Sequence, residues 1–108
     1  MLDITTEQEW QQAAEEAGGT YLLFKHSTTC PISAAAQRAV AAYEPSSPVP
    51  ILRVRVIEDR PLSQQLAREF GIAHASPQAI LVRAGKPAWH ASHYDITEQT
   101  LAGACAQS

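Results

Sequence analysis

The fold is predicted from one stretch of sequence, Tyr21-Leu22-Leu23-Phe24-Lys25-His26-Ser27-Thr28-Thr29-Cys30-Pro31-Ile32-Ser33. It begins as a short apolar run with the length of a buried strand, passes through a polar turn and ends at Cys30-Pro31, before a series of strong helix formers. Pro31 suits the first position of a helix, because the N–H that proline lacks would have no partner there. The stretch therefore predicts a strand followed by a helix, with Cys30 at the helix N-cap.

Cys30 is the candidate nucleophile. The free N–H groups and the dipole at a helix start favour an anion, and the thiolate is the form of cysteine that attacks disulfides. No Asp or Glu lies between residues 17 and 43, whereas Lys25, His26 and Arg38 do. A lone cysteine is more often a small buried apolar residue, but a strand-to-helix junction favours the reactive interpretation. For Lys25 and His26, solvation at a strand end is the simpler expectation, and an indirect influence on Cys30 is the alternative.

Ser33 stands where a two-thiol redox motif would carry its second cysteine. A serine cannot attack a mixed disulfide formed at Cys30, although its hydroxyl can donate a hydrogen bond to the thiolate. The motif Cys30-Pro31-Ile32-Ser33 therefore predicts one-thiol chemistry, in which an external thiol removes the adduct. A solvent-facing Ser33 in the first helical turn is the alternative.

Composition indicates a single domain over residues 1–108 with one core. The net charge of −3 and the lack of a basic cluster argue against a nucleic-acid partner. The N-terminus lacks the pattern of a signal peptide, and the apolar runs are too short to cross a membrane. A cytoplasmic protein is expected. Two cysteines and four scattered histidines show no metal-ligand spacing, so neither a metal nor a bound cofactor is predicted.

The hydrophobic spacing and the turn residues predict the remaining elements. Helices are expected over 7–17, 31–43, 61–70 and 98–106, and strands over 21–26, 51–57, 78–83 and 88–93. The order α-β-α-β-α-β-β-α contains a β-α-β crossover, which is right-handed in nearly all proteins, and ends in an antiparallel hairpin with its turn at 84–87. This order resembles the thioredoxin-like α/β fold, in which a four-stranded mixed sheet is flanked by four helices.

A groove beside the nucleophile is expected around Pro77. In a thioredoxin-like fold this proline is cis and faces the nucleophile, with Ser76 and His74 lining the groove; a trans proline at a strand start is the alternative. His93, at the end of the last strand, is a further candidate neighbour of Cys30, although lone histidines are more often surface residues. Cys105 lies at the far end of the last helix, more than ~10 Å along the helix axis from the active-site end, so we expect it to be structural or incidental and not a resolving thiol.

Three separated motifs carry a resemblance to a known family. They are Phe24-Lys25-His26-Ser27-Thr28-Thr29-Cys30-Pro31-Ile32-Ser33, His74-x-Ser76-Pro77-Gln78 and Trp89-His90-Ala91-Ser92-His93-x-x-Ile96-Thr97. Together they resemble the YtxJ-type monothiol bacilliredoxins, thioredoxin-fold proteins of the bacillithiol system. The resemblance implies that Cys30 is the nucleophile, that proteins carrying bacillithiol as a mixed disulfide are the substrates and that bacillithiol is a co-substrate. It also implies a bacillithiol-disulfide reductase as a partner.

Two other functions remain open at this point. In a peroxide or thiol sensor, Cys30 would oxidise to a sulfenic acid, which needs a Thr or Arg close by; Thr29 and Arg38 leave this open. In a non-catalytic adaptor, the groove would only bind partner proteins.

Overall fold

The computed structural model describes residues 1–29 and 31–106. Its four α-helices are α1 (Glu7–Glu16), α2 (Pro31–Tyr43), α3 (Arg60–Phe70) and α4 (Glu98–Ala106). Its five strands are β1 (Leu2–Asp3), β2 (Tyr21–His26), β3 (Ile51–Arg55), β4 (Gln78–Arg83) and β5 (Lys86–Ser92). Short 3₁₀ turns over Glu44–Ser46 and His93–Asp95 follow α2 and β5. The predicted α/β order is confirmed.

The strands form one mixed sheet in the order β1-β3-β2-β4-β5. β1, β3 and β2 run parallel, while β4 is antiparallel to both β2 and β5. The prediction of four strands was wrong by one, because β1 is only two residues long and pairs Leu2 with Leu52 at the sheet edge. So short a segment carries no alternation of its own from which a strand could be predicted.

Two element boundaries differ from the prediction by two residues, and the end of α1, the start of α3 and the end of β5 differ by one. β3 ends at Arg55 rather than Ile57, since residues 56–59 already form the turn that leads into α3. β5 begins at Lys86 rather than Ala88, because Ala84 and Gly85, both with positive φ, complete the hairpin turn by themselves. This tight turn lets Lys86 pair with Arg83.

β2 lies in the centre of the sheet, and all six of its residues are buried. Successive side chains of a strand point to opposite faces. Tyr21 and Leu23 join the core under α1 and α3, whereas Leu22 and Phe24 join the core under α2 and α4. A strand that is buried on both faces has a continuous apolar sequence, as residues 21–24 do. Its carboxyl end carries the chain into the segment that contains Cys30.

Candidate active site

Four chain segments meet at the carboxyl end of β2. The backbone N–H of Val56, just after β3, donates to the carbonyl of His26 at 2.9 Å. Lys25 lies directly opposite Gln78 in the antiparallel register of β2 and β4. The N–H of His93, just after β5, donates to the carbonyl of Pro77 at 3.0 Å. The topology thus places residues 26–29, 56–60, 74–78 and 92–94 at the same end of the sheet.

The loop between β2 and α2 is held by three hydroxyl side chains. Ser33 is fully buried, and its Oγ accepts a hydrogen bond from the backbone N–H of Ser27 at 3.2 Å. The Ser27 hydroxyl in turn lies 3.0 Å from the hydroxyl of Thr29. A solvent-facing Ser33 was therefore the wrong alternative, since the first turn of α2 folds this side chain back under the loop. Ser33 acts here as the acceptor that fixes the loop's start.

The predicted nucleophile, Cys30, lies outside the described residues. Its two chain neighbours are described: Thr29 and Pro31 are both exposed, and Pro31 occupies the first position of α2 as predicted.

The Ser76–Pro77 peptide bond is cis, as predicted from the fold. Gln78, the next residue, donates from Nε2 to the carbonyl of Ala73 at 3.1 Å and so closes the loop before β4. Two buried atoms on either side of the proline, Ser76 Oγ and Gln78 Oε1, have no hydrogen-bond partner within the described part of the chain. Unpartnered buried acceptors are rare in folded proteins and concentrate where a ligand or water completes the structure.

Lys25 differs most from the expectation. A solvated strand-end lysine was predicted, but Lys25 is fully buried, and its Nζ has no hydrogen-bond partner among the described residues. Burial disfavours the ammonium form and lowers the pKa of Lys25 to about 8. At neutral pH the group is still mostly charged. Because alternate residues of a strand share a face, this buried cation lies on the same face of β2 as Tyr21 and Leu23, which α1 and α3 cover.

His26 is likewise buried rather than solvated. Its ring stacks on Phe24 with centroids 5.4 Å apart, and its Nε2 lacks a partner among the residues described. Burial, followed by the positive charge of Arg53, lowers the pKa of His26 below its ordinary value. His26 is therefore neutral at physiological pH and belongs to the α2 face, opposite to Lys25.

His74 lines a pocket that the sequence did not predict. Its Nδ1 lies 3.4 Å from the hydroxyl of Ser63, a buried residue of α3. Burial, and then the positive charges of Lys25 and Arg60, lower the pKa of His74. The pocket encloses about 270 Å³ and is lined by Val56, Ile57, Arg60, Ser63, Gln64 and His74. Of the residues that line this pocket, only His74 is predicted from the sequence to lie near the groove, because no local pattern marks Arg60 or Ser63.

His93 and Cys105 have different surroundings. His93 adopts a left-handed backbone conformation, with φ 55°, and contacts the Pro77 segment through its backbone N–H rather than its exposed ring. Cys105 is buried in the core between α2 and α4, and its carbonyl accepts a hydrogen bond at 3.3 Å from Arg83, at the end of β4 opposite to the candidate site. Burial, and then its contact with Cys105, raise the pKa of Tyr43 to about 12. This packing agrees with a structural Cys105.

The described residues contain neither a metal-binding cluster nor a membrane-spanning helix. No group of three or more His, Cys, Asp or Glu side chains in 1–29 and 31–106 is placed to hold a metal ion. None of the described helices has the length and apolar character that crossing a membrane requires.

Comparison with known proteins identifies the family. Residues 2–101 match the family model of the monothiol bacilliredoxin BrxC. The chain belongs to the monothiol bacilliredoxin family. A solved structure provisionally described as an oxidoreductase with a thioredoxin fold shares 30% of its residues with the chain, at a TM-score of 0.88, with 95% of this chain and 91% of that chain covered. Membership of the family, predicted from the three motifs, is thus confirmed.

More distant structures establish the fold alone. The thioredoxin of Fasciola hepatica has a TM-score of 0.82 at 16% identity and covers 99% of this chain and 98% of its own. Mitochondrial thioredoxin 3 of Saccharomyces cerevisiae has a TM-score of 0.80 at 12% identity, and the match covers 100% of this chain and 95% of the thioredoxin. The predicted thioredoxin-like fold is confirmed. Family and fold together support a thiol oxidoreductase with a role in bacillithiol-linked redox chemistry.

Proposed function

We propose that this protein removes bacillithiol from S-bacillithiolated proteins by a one-thiol exchange through Cys30. The observation that carries the proposal is the match of residues 2–101, which include Cys30 and Ser33, to the monothiol bacilliredoxin family. We place the reaction in the cytoplasm, where disulfides are kept reduced by thiol pools. No bound cofactor takes part, and bacillithiol is the co-substrate.

The first step is an attack by the Cys30 thiolate on the sulfur of bacillithiol in the client's mixed disulfide. A bond forms between Cys30 and bacillithiol, the client's S–S bond breaks, and the client leaves as a thiolate that takes a proton from water. In the second step a bacillithiol thiolate attacks the adduct and leaves as bacillithiol disulfide, which restores the Cys30 thiolate. A reductase for that disulfide returns it to two thiols, so the electrons for the cycle enter from outside this chain.

The surroundings of Cys30 support a thiolate there. Cys30 follows the carboxyl end of β2 and precedes Pro31, the first residue of the 13-residue helix α2. Such a position lowers a thiol pKa through the helix dipole and the unpaired N–H groups. The chain also carries no Asp or Glu between residues 17 and 43. A carboxylate that would oppose a thiolate is therefore absent from the sequence on both sides of Cys30.

The state of Ser33 supports exchange by one thiol. The buried hydroxyl at this position accepts from the Ser27 N–H, and an oxygen cannot resolve a mixed disulfide. The adduct on Cys30 must then wait for a second thiol from solution. Ser76 and Pro77, with His74 two residues before, supply the groove in which the client's disulfide would lie, next to the loop that carries Cys30.

Intact mass spectrometry tests the proposal. The reduced full chain is treated with bacillithiol disulfide and then with excess bacillithiol. We expect one bacillithiol adduct on the wild type and on Cys105→Ser, none on Cys30→Ser, and loss of the adduct in the second step. Cys105→Ser is the matched control, because it removes the chain's other cysteine and leaves Cys30 in place.

Removal of bacillithiol from a labelled client completes the test. Wild type and Cys105→Ser should release the label, and Cys30→Ser should not. A Cys30→Ser variant that retained activity, two adducts on the wild type or a bond between Cys30 and Cys105 would each refute one-thiol exchange. A wild type that forms no adduct would favour an adaptor instead.

A further inference from the structure

The pocket between α3 and the loop before Pro77 lies beside the segment that carries Cys30. Val56, one of its lining residues, is hydrogen-bonded to His26, four residues before Cys30. His74, on the opposite wall, is two residues from Ser76. At about 270 Å³ the pocket has room for a group of several heavy atoms rather than for a single water. It adjoins the predicted groove without being part of the core.

The charges at this pocket are positive. Arg60, at the first position of α3, is exposed and makes no ion pair with the described residues. The nearby carboxylates of Glu58 and Asp59 are engaged by Arg55, at 3.6 Å and 3.8 Å. Among the described groups that act electrostatically on His74, Lys25 and Arg60 are cations, and none is an acid. An anion in the pocket would therefore meet the positive charge of Arg60, which no ion pair with a described side chain neutralises. The buried Asp59 Oδ2 beside Arg60, which accepts no hydrogen bond from the described residues, opposes this attraction.

Lys25 is the second, independent observation. Its ammonium group is fully buried and close enough to lower the pKa of His74, yet Nζ has no partner among the described residues. Buried charges in folded proteins are paired almost without exception, because taking an unpaired ion out of water is costly. The described residues thus include a buried cation without a counter-ion, and its charge acts on His74, which lines the pocket.

We propose that this pocket binds the carboxylate-bearing part of the small thiol that Cys30 exchanges. The inference rests on the proposed function and deepens it, since it names the residues that select the adduct. Arg60 offers its guanidinium fork, which matches a carboxylate in shape and charge. Ser63 can donate to Nδ1 of His74, and that leaves the proton of the neutral ring on Nε2 as a second donor. Lys25 does not line the pocket, and its positive charge acts there through His74.

A pair of synthetic adducts tests this selection. One cysteine-containing peptide is prepared as a mixed disulfide with mercaptosuccinate, which carries two carboxylates, and as one with 2-mercaptoethanol, which carries none. The rate of adduct removal by the full chain is measured for each, and the ratio of the two rates is divided by the same ratio for dithiothreitol. This division removes the difference in intrinsic reactivity between the two disulfides.

We expect the normalised ratio to favour mercaptosuccinate and to fall about tenfold in Arg60→Gln, the effect of losing one charge-assisted hydrogen bond. His74→Gln should lower the ratio as well, and removal of the neutral adduct should be unchanged in Arg60→Gln. Arg68→Gln is the matched control: it removes the same charge from an exposed position in the last turn of α3, about 12 Å further along the helix. It should alter neither rate.

The outcomes separate the two proposals. If Arg60→Gln leaves the ratio unchanged, or Arg68→Gln lowers it equally, the binding site is wrong while the exchange reaction stands. If the wild type removes neither adduct, or Cys30→Ser removes the neutral adduct as fast as the wild type, the exchange reaction itself is wrong.

Discussion

Replacing Lys25 by methionine should stabilise the protein. Lys25 is fully buried, its Nζ has no hydrogen-bond partner in the part of the chain that the structure describes, and its charge lies in the core under α3. Methionine has nearly the same length and fills the same space without a charge. The substitution therefore removes the cost of burying an unpaired ammonium group and retains most of the packing.

The magnitude follows from the pKa. Burial lowers the pKa of Lys25 from 10.5 to about 8, and one pH unit corresponds to about 1.4 kcal/mol, so the charged group costs about 3 kcal/mol of stability. Between pH 8 and 10.5 the unfolded chain binds more protons at this position than the folded chain does. The free energy of unfolding of the wild type therefore rises with pH across this window, and the full cost is present below pH 8.

Urea unfolding at pH 7, 8, 9 and 9.5 measures the effect. We expect Lys25→Met to be more stable than the wild type by about 2–3 kcal/mol at pH 7, with a gain that shrinks as pH rises. Lys86→Met is the matched control, since it removes the other lysine of the chain from an exposed position in β5. Its unfolding curve should run parallel to that of the wild type at every pH.

The reasoning would be refuted by a Lys25→Met variant that is less stable than the wild type at pH 7, or whose difference from the wild type does not change between pH 7 and 9.5. The first result would mean that the amine has a partner that stabilises it. The second would mean that Lys25 titrates outside this window. If the anion pocket is as proposed, Lys25→Met should also favour mercaptosuccinate adducts less, and the variant would gain stability while it loses selectivity.

Three further variants or titrations test the described contacts. Tyr21→Phe removes the acceptor of the buried Trp10 indole N–H, 2.9 Å away, and should cost about 1–3 kcal/mol in urea unfolding; an unchanged midpoint would show that water or another group replaces the hydroxyl. Ser33→Ala leaves the Ser27 N–H without its acceptor and should speed amide exchange at Ser27 in NMR, whereas unaltered protection would contradict the described hydrogen bond. NMR titration should place the pKa of His26 below 6.5, so that stability falls as the pH falls through 6.5; a value at or above 6.5 would mean that the ring is solvated or paired with an acid.

The parts of the fold that were predicted from the sequence rest on local signals. Pro31 after a polar turn marks the start of α2, and Gly71, which takes a left-handed conformation, ends α3. β1 was missed because its two residues gain their order only from pairing with β3. A strand of this kind exists through its tertiary partner and has no signal in the sequence.

The candidate site was predicted less completely, for a reason that Lys25 and His26 illustrate. Both stand at the polar end of an apolar run, where a sequence suggests solvent, yet Lys25 pairs with Gln78 of β4, and the turn after β3 is hydrogen-bonded to His26. Their burial depends on how far neighbouring strands reach. In the same way, Arg60 and His74 come together only because α3 and the loop before β4 lie on the same side of the sheet.

The buried hydroxyl of Ser33 bears on how one-thiol and two-thiol enzymes can be interconverted on this scaffold. Cysteine at position 33 would place a larger sulfur in a fully enclosed space and offer the Ser27 N–H a much weaker acceptor. The gain of a resolving thiol would then come with a loosened loop around the nucleophile. A designer who wants a two-thiol variant should therefore first give the Ser27 N–H another acceptor, because position 33 is part of the framework as well as of the motif.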